Sequence, residues 1–75
     1  MIVVSVQYID KPQSTNVFQN GGISVRFQVL AQALAFAETE SSVPASYGLA
    51  SAAALCRVYT NGVMVQAWLD GTNVT

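Results

Sequence analysis

Asn61-Gly62 stands between two runs rich in β-formers, Leu-Cys-Arg-Val-Tyr-Thr before it and Val-Met-Val-Gln-Ala-Trp-Leu after it. This is the tightest constraint on what the chain can become. A type I′ turn needs positive φ at both central residues, and Asn-Gly supplies that more readily than any other common pair. A two-residue loop also sets the register. If the ladder is regular, Thr60 faces Val63, Val58 faces Val65, Cys56 faces Ala67 and Ala54 faces Leu69 on one side. The other side then pairs Tyr59 with Met64, Arg57 with Gln66, and Leu55 with Trp68. The first set is small and aliphatic, as a core requires. The second holds the Trp, Tyr and Arg side chains that dominate protein–protein contacts.

Two further segments alternate with period two. In residues 2–9, Ile2, Val4, Val6 and Tyr8 fall on one side, with Ser5 and Gln7 on the other. In residues 23–29, Ile23, Val25, Phe27 and Val29 oppose Ser24, Arg26 and Gln28. Both read as strands. Between them lie a polar loop interrupted by Pro12, the pair Val17 and Phe18 as partial core cover, and the turn signal Asn20-Gly21-Gly22. Residues 30–37 are ambiguous. Their Ala and Leu content suits a helix, but Ala31, Ala33, Ala35 and Ala37 prolong the period-two row. Glu38 and Glu40 would sit at the unfavourable end of a helix dipole, with no Gly or Asn to cap it, so strand extension is preferred. Residues 39–46 read as a loop around Pro44, and residues 45–54, broken by Gly48, read as extended. The tail from Gly71 reads as frayed or laid on a neighbour.

The expected fold is therefore all-β: one domain over residues 1–75, a small antiparallel β-sandwich or partial barrel of four to six strands with a C-terminal hairpin. The alternative is α+β, with one short Ala-rich helix near residues 30–37 or 45–54 packed on a sheet.

Composition narrows function mostly by exclusion. Only 9% of the 75 residues are charged and 52% are apolar, against roughly 25% charged in ordinary domains. A domain of this size buries only ~60% of its unfolded surface, so it commonly needs a staple or a partner. Cys56 is the single cysteine and there is no His, so neither an internal disulfide nor a typical zinc ligand set can form. Cys56 itself lies on the aliphatic face, where a thiol behaves as a small hydrophobe. Lys11, Arg26 and Arg57, the only cations, cannot neutralise a run of phosphates, which argues against nucleic acid as partner. The carboxylates Asp10, Glu38, Glu40 and Asp70 fall in or beside loops and make neither a desolvated acid–base pair nor a calcium site. Asn20-Gly21-Gly22 lacks a phosphate-loop pattern. No catalytic residues, cofactor, metal or small-molecule substrate are expected, and the chain reads as a non-enzyme. It contains no apolar stretch long enough to span a membrane. The opening Met-Ile-Val-Val-Ser-Val has no basic segment of the signal-peptide kind, so synthesis in a cytoplasm is expected and the Asn73-Val74-Thr75 sequon carries little weight.

What remains is association. Seven Ser, five Thr, six Gln and four Asn replace the missing charge, giving a surface that repels copies weakly and loses little solvation when covered. In composition the chain resembles bacteriophage and viral virion components, above all capsid decoration (cement) proteins. That resemblance implies a structural subunit in the virion, self-associating, with a trimer favoured, and bound to a larger protein shell. The expected contact residues are Trp68, Tyr59, Met64, Arg57, Gln66 and Leu55, with the edge of residues 2–9 open to strand addition. An alternative is a β-module that binds a peptide or glycan through a patch made by Trp68 and Tyr59.

Overall fold

The computed structural model describes residues 1–10, 23–48 and 52–75. The polar loop after Asp10, the Val17–Phe18 cover and the Asn20-Gly21-Gly22 turn lie outside the described residues. Five strands, β1 (Ile2–Asp10), β2 (Ile23–Phe27), β3 (Ala52–Thr60), β4 (Val63–Leu69) and β5 (Thr72–Asn73), form one antiparallel open sheet in the order β2-β1-β3-β4-β5. One 12-residue helix, α1 (Leu30–Ser41), packs on it, followed by a single turn, α2 (Val43–Ser46). The fold is thus α+β, the alternative reading. It is neither a sandwich nor a closed barrel.

β2 and β3 are both antiparallel to β1 and flank it, so they run the same way. α1 carries the chain across the sheet from one to the other. Parallel strands need such a crossover. This makes β1 an interior strand: the strand-addition edge expected along residues 2–9 is paired with β3 throughout and with β2 over Ile2 to Val6.

The helix wins at residues 30–41 because its small residues make a stripe. Ala33, Ala37 and Ser41, four apart, are its buried positions, with Leu34 and Phe36 half-buried beside them. Side chains this small let the helix axis approach closely over β3, β1 and β4. A strand would have put Ala31, Ala33, Ala35 and Ala37 on one face; the helix instead gathers Ala33, Ala37 and Ser41 into the buried stripe and turns Ala31 and Ala35 outward. The missing cap is supplied by serines. Ser41 Oγ donates to the Glu38 carbonyl (2.9 Å), Ser42 Oγ to Thr39 (2.8 Å) and Ser46 Oγ to Val43 (2.8 Å). These hydroxyls occupy carbonyls that a helix C-terminus otherwise leaves unpaired. Pro44 lies in the first turn of α2, where its missing N–H costs nothing. Of residues 45–54, Ala45 and Ser46 belong to α2 and Ala52 to Ala54 to β3, so among the described ones only the last part is extended as expected.

The tail is also ordered. Asp70 (φ 55°) and Gly71 (φ 80°) form a second two-residue turn of the same hand as Asn61 (φ 50°) and Gly62 (φ 84°). β5 then pairs Asn73 with Trp68 and Thr72 with Leu69. Val74 N–H donates to the Ala67 carbonyl at 2.8 Å, and Thr75 Oγ1 accepts from Ala67 N–H at 2.9 Å. The core is built from small side chains. Val4, Val6, Val58, Cys56, Ala33, Ala37 and Ala54 are fully buried, and among the described residues nothing larger than valine is.

Candidate interaction surface

The decisive local event is a β-bulge in the hairpin. Thr60 pairs with Val63 and Tyr59 with Met64, as the turn dictates, but the ladder then shifts between Val58 and Tyr59. Val65 becomes the extra residue. Val58 pairs with Gln66, Arg57 with Ala67, Cys56 with Trp68, and Leu55 with Leu69. Every β4 side chain beyond the bulge therefore changes face. The regular pairings Val58–Val65, Cys56–Ala67, Ala54–Leu69, Arg57–Gln66 and Leu55–Trp68 are corrected accordingly.

The physical reason lies under the helix. Ala33, Ala37, Ala54 and Cys56 leave space there, and a regular register would have filled it with Ala67. The bulge fills it with Trp68 instead, which packs against the core cluster. An aromatic ring of that size outweighs one lost ladder position. The indole Nε1 donates to Gln66 Oε1 at 2.8 Å, two residues back on the same face, so its polar edge is satisfied. Of the six expected contact residues, Leu55, Arg57, Tyr59 and Met64 thus share the face away from α1. Trp68 and Gln66 lie on the helix side.

On the face away from α1, the pairings set out three cross-strand rows. Arg26, Val3, Tyr59 and Met64 make one. Ser24, Ser5, Arg57 and Ala67 make the second, and Gln7, Leu55 and Leu69 the third. No described residue forms a layer over them. Ser5 and Ala67 are short, so the Arg57 guanidinium can lie flat over the sheet, and its Nη1 donates to Gln7 Oε1 at 2.8 Å. Both described arginines are on this face, whereas Glu38 and Glu40 belong to the helix layer on the opposite side. These four described charges are thus segregated between the two faces. Val3 and Leu69 were missed as members of this face, Leu69 because only the bulge puts it there; Val3 was legible from the strand alternation.

The helix side offers no reactive group. Burial, reinforced by nearby Glu40, pushes the Cys56 thiol up to about 12, and burial with the Glu40 and Cys56 charges also raises the Tyr8 phenol. A thiol held neutral is a poor nucleophile and a poor metal ligand. Among the described residues no cluster of three or more Cys, Asp or Glu could hold a metal ion, and no helix is long and apolar enough to cross a membrane. A shallow open depression of about 480 Å³ lies where β1 begins and β2 ends, lined by Met1, Ile2, Arg26, Phe27 and Gln28. It gathers the Arg26 guanidinium and the Met1 ammonium and, among the described residues lining it, no carboxylate, thiol or hydroxyl.

No protein-family model matches the chain, and no curated protein or solved structure matches it either.

Proposed function

We propose that the protein is a structural subunit of a larger protein assembly, a virion component of the capsid-decoration kind in bacteriophages and viruses. It would lie across the joints of a shell through the face away from α1. The observation that carries this reading is that face itself. It joins Tyr59, Leu55, Leu69, Met64 and Val3 to Arg57 and Arg26, in a domain in which no described side chain larger than valine is fully buried. A small domain with so thin a core gains most from covering a second surface. The two arginines, with no carboxylate among the described residues beside them, favour a neutral or acidic partner surface.

The action is mechanical. Each docked copy buries amphipathic surface on both sides of a joint, so the joint cannot open without exposing that surface again. No substrate, cofactor or nucleic acid takes part. The alternative peptide- or glycan-binding patch needed Trp68 and Tyr59 on one surface, and the bulge separates them.

Sedimentation of the purified chain across a wide concentration range tests the self-associating part of this reading. The average mass should rise with concentration. A monomer that stays monomeric into the millimolar range would sink it.

A further inference from the structure

β5 and the two residues after it hold their place by backbone bonds rather than by burial. Thr72, Asn73, Val74 and Thr75 are all exposed, and none of them packs against the core cluster. They are tied to β4 by the pairs Asn73–Trp68 and Thr72–Leu69, by Val74 N–H on the Ala67 carbonyl, and by Ala67 N–H on Thr75 Oγ1. The segment also shapes itself: the N–H and hydroxyl of Thr75 both donate to Asn73 Oδ1, at 3.0 and 2.6 Å. A segment with so little apolar contact opens locally at small cost. The vacancy it leaves on β4 is the costly part. Ala67 is only 7% exposed, and its N–H and carbonyl would lose the partners they have in the closed form. The site is best refilled by a segment that offers the same groups in the same order.

We infer that the edge of β4 at residues 67–69 exchanges its occupant, taking residues 72–75 of a second copy in place of its own. This rests on the assembly reading above and names its self-contact. The register identifies the partner. Trp68–Asn73 and Leu69–Thr72 flank the two-residue turn Asp70-Gly71 symmetrically. When that turn straightens, residues 67–74 of two copies pair in the same register, with Asp70 of one chain opposite Gly71 of the other. Every β4–β5 bond is then re-formed between chains, as in other exchanges of an identical element. The two Asp70 side chains project from opposite faces of the ladder, because neighbouring residues alternate, so like charges do not meet.

The hinge favours the exchange. Asp70, at φ 55°, is a non-glycine residue in the left-handed region, and straightening releases it. Short constrained turns invite swapping for this reason. The Gly71 N–H bond to Ser41 Oγ (2.9 Å) opposes opening and favours the closed form in dilute solution. Asn61-Gly62 is no rival hinge, since opening it would dismantle the β3–β4 ladder beneath α1. In the exchanged dimer the two-fold axis is perpendicular to the sheet, with both helices on one side and both arginine-bearing faces on the other. Two docking faces become one, which strengthens attachment to a shell without any new kind of contact. This two-fold contact departs from the three-fold association expected from composition.

Two hinge variants and one contact test it. Gly71→Val disfavours the left-handed turn and suits an extended strand, so it should dimerise at least about tenfold more tightly than the parent by sedimentation equilibrium. Inserting Gly-Gly between Asp70 and Gly71 relaxes the turn and should weaken association. In an equal mixture of isotope-labelled and unlabelled parent chains, concentrated until the dimer is populated, isotope-filtered NOEs should join Trp68 of one copy to Asn73 of the other. Dimers whose Trp68–Asn73 contact stays within one chain overturn the exchange and leave the assembly reading standing. So does a parent that associates while Gly71→Val remains monomeric. No association by parent or variant overturns both.

Discussion

The two faces of the sheet solve opposite problems with the same strands. Under α1, Val4, Val6, Cys56 and Val58 are fully buried, and Ala33 and Ala37 of the helix descend onto them. On the other face the same strands present Ser5, Gln7, Arg57 and Tyr59. The covered face gains from size reduction, because a helix can approach closely only where side chains are short. The face away from α1 keeps long amphipathic side chains such as Arg57, which reaches along the sheet to Gln7. If stability is concentrated in the first and the proposed contacts in the second, substitutions on the two faces should separate folding from association.

Trp68 gives the largest expected effect. It packs under the helix only because of the bulge, so Trp68→Ala should cost about 3 kcal/mol in urea unfolding, as truncation of a core aromatic does. In a domain this small that is enough to leave much of the population unfolded at ambient temperature. A cost near zero, with lost association, would return Trp68 to the outer face and remove the bulge from the account.

The turns come next. Gly71 has φ 80°, and a Cβ there would lie 3.2 Å from Ser42 Cβ; Gly62 has φ 84° with nothing within 4 Å. Both positions penalise an L side chain by about 1 kcal/mol, but only Gly71 is also pressed against the end of α1. Its N–H donates to Ser41 Oγ at 2.9 Å. Gly71→Ala should therefore lower the thermal midpoint more than Gly62→Ala. Equal shifts would mean that the second turn does not fasten the helix to the sheet.

These elements also mark how far the sequence could be read. The strands of residues 2–9 and 23–29, the Asn61-Gly62 turn and the pairs beside it follow from local pattern, and the structure agrees, apart from an earlier end to β2. The bulge does not follow, because it is decided by space beneath a helix some thirty residues away in sequence. The helix was legible only as an alternative, since its alanines fit both periods and its cap is made of serines rather than Gly. Asp70-Gly71 is a turn signal of the same chemistry as Asn61-Gly62, but no long second run follows it. The two-residue β5 was therefore hidden by its brevity. On the outer face, the placement of the β3 residues Leu55, Arg57 and Tyr59 was readable because the extra residue lies in β4 and leaves the alternation of β3 untouched, and that of Met64 because it lies on the turn side of the bulge. Gln66 and Trp68 lie beyond it.

The smallest expected change in stability belongs to the outer face. Arg57 bonds Gln7 across two strands, and a half-exposed hydrogen bond of this kind adds little to folding. Arg57→Ala should thus shift unfolding by no more than about 0.5 kcal/mol. Its effect should appear in attachment: beads coated with carboxylate-rich protein should retain the parent chain and release the variant at lower salt. Arg26 lies on the same face in another row, so Arg26→Ala should act in the same direction, and the double variant should lose retention further. If instead Arg57→Ala unfolds the domain as severely as Trp68→Ala, the outer face is a second core. The division of labour between the two faces would then be wrong at its root.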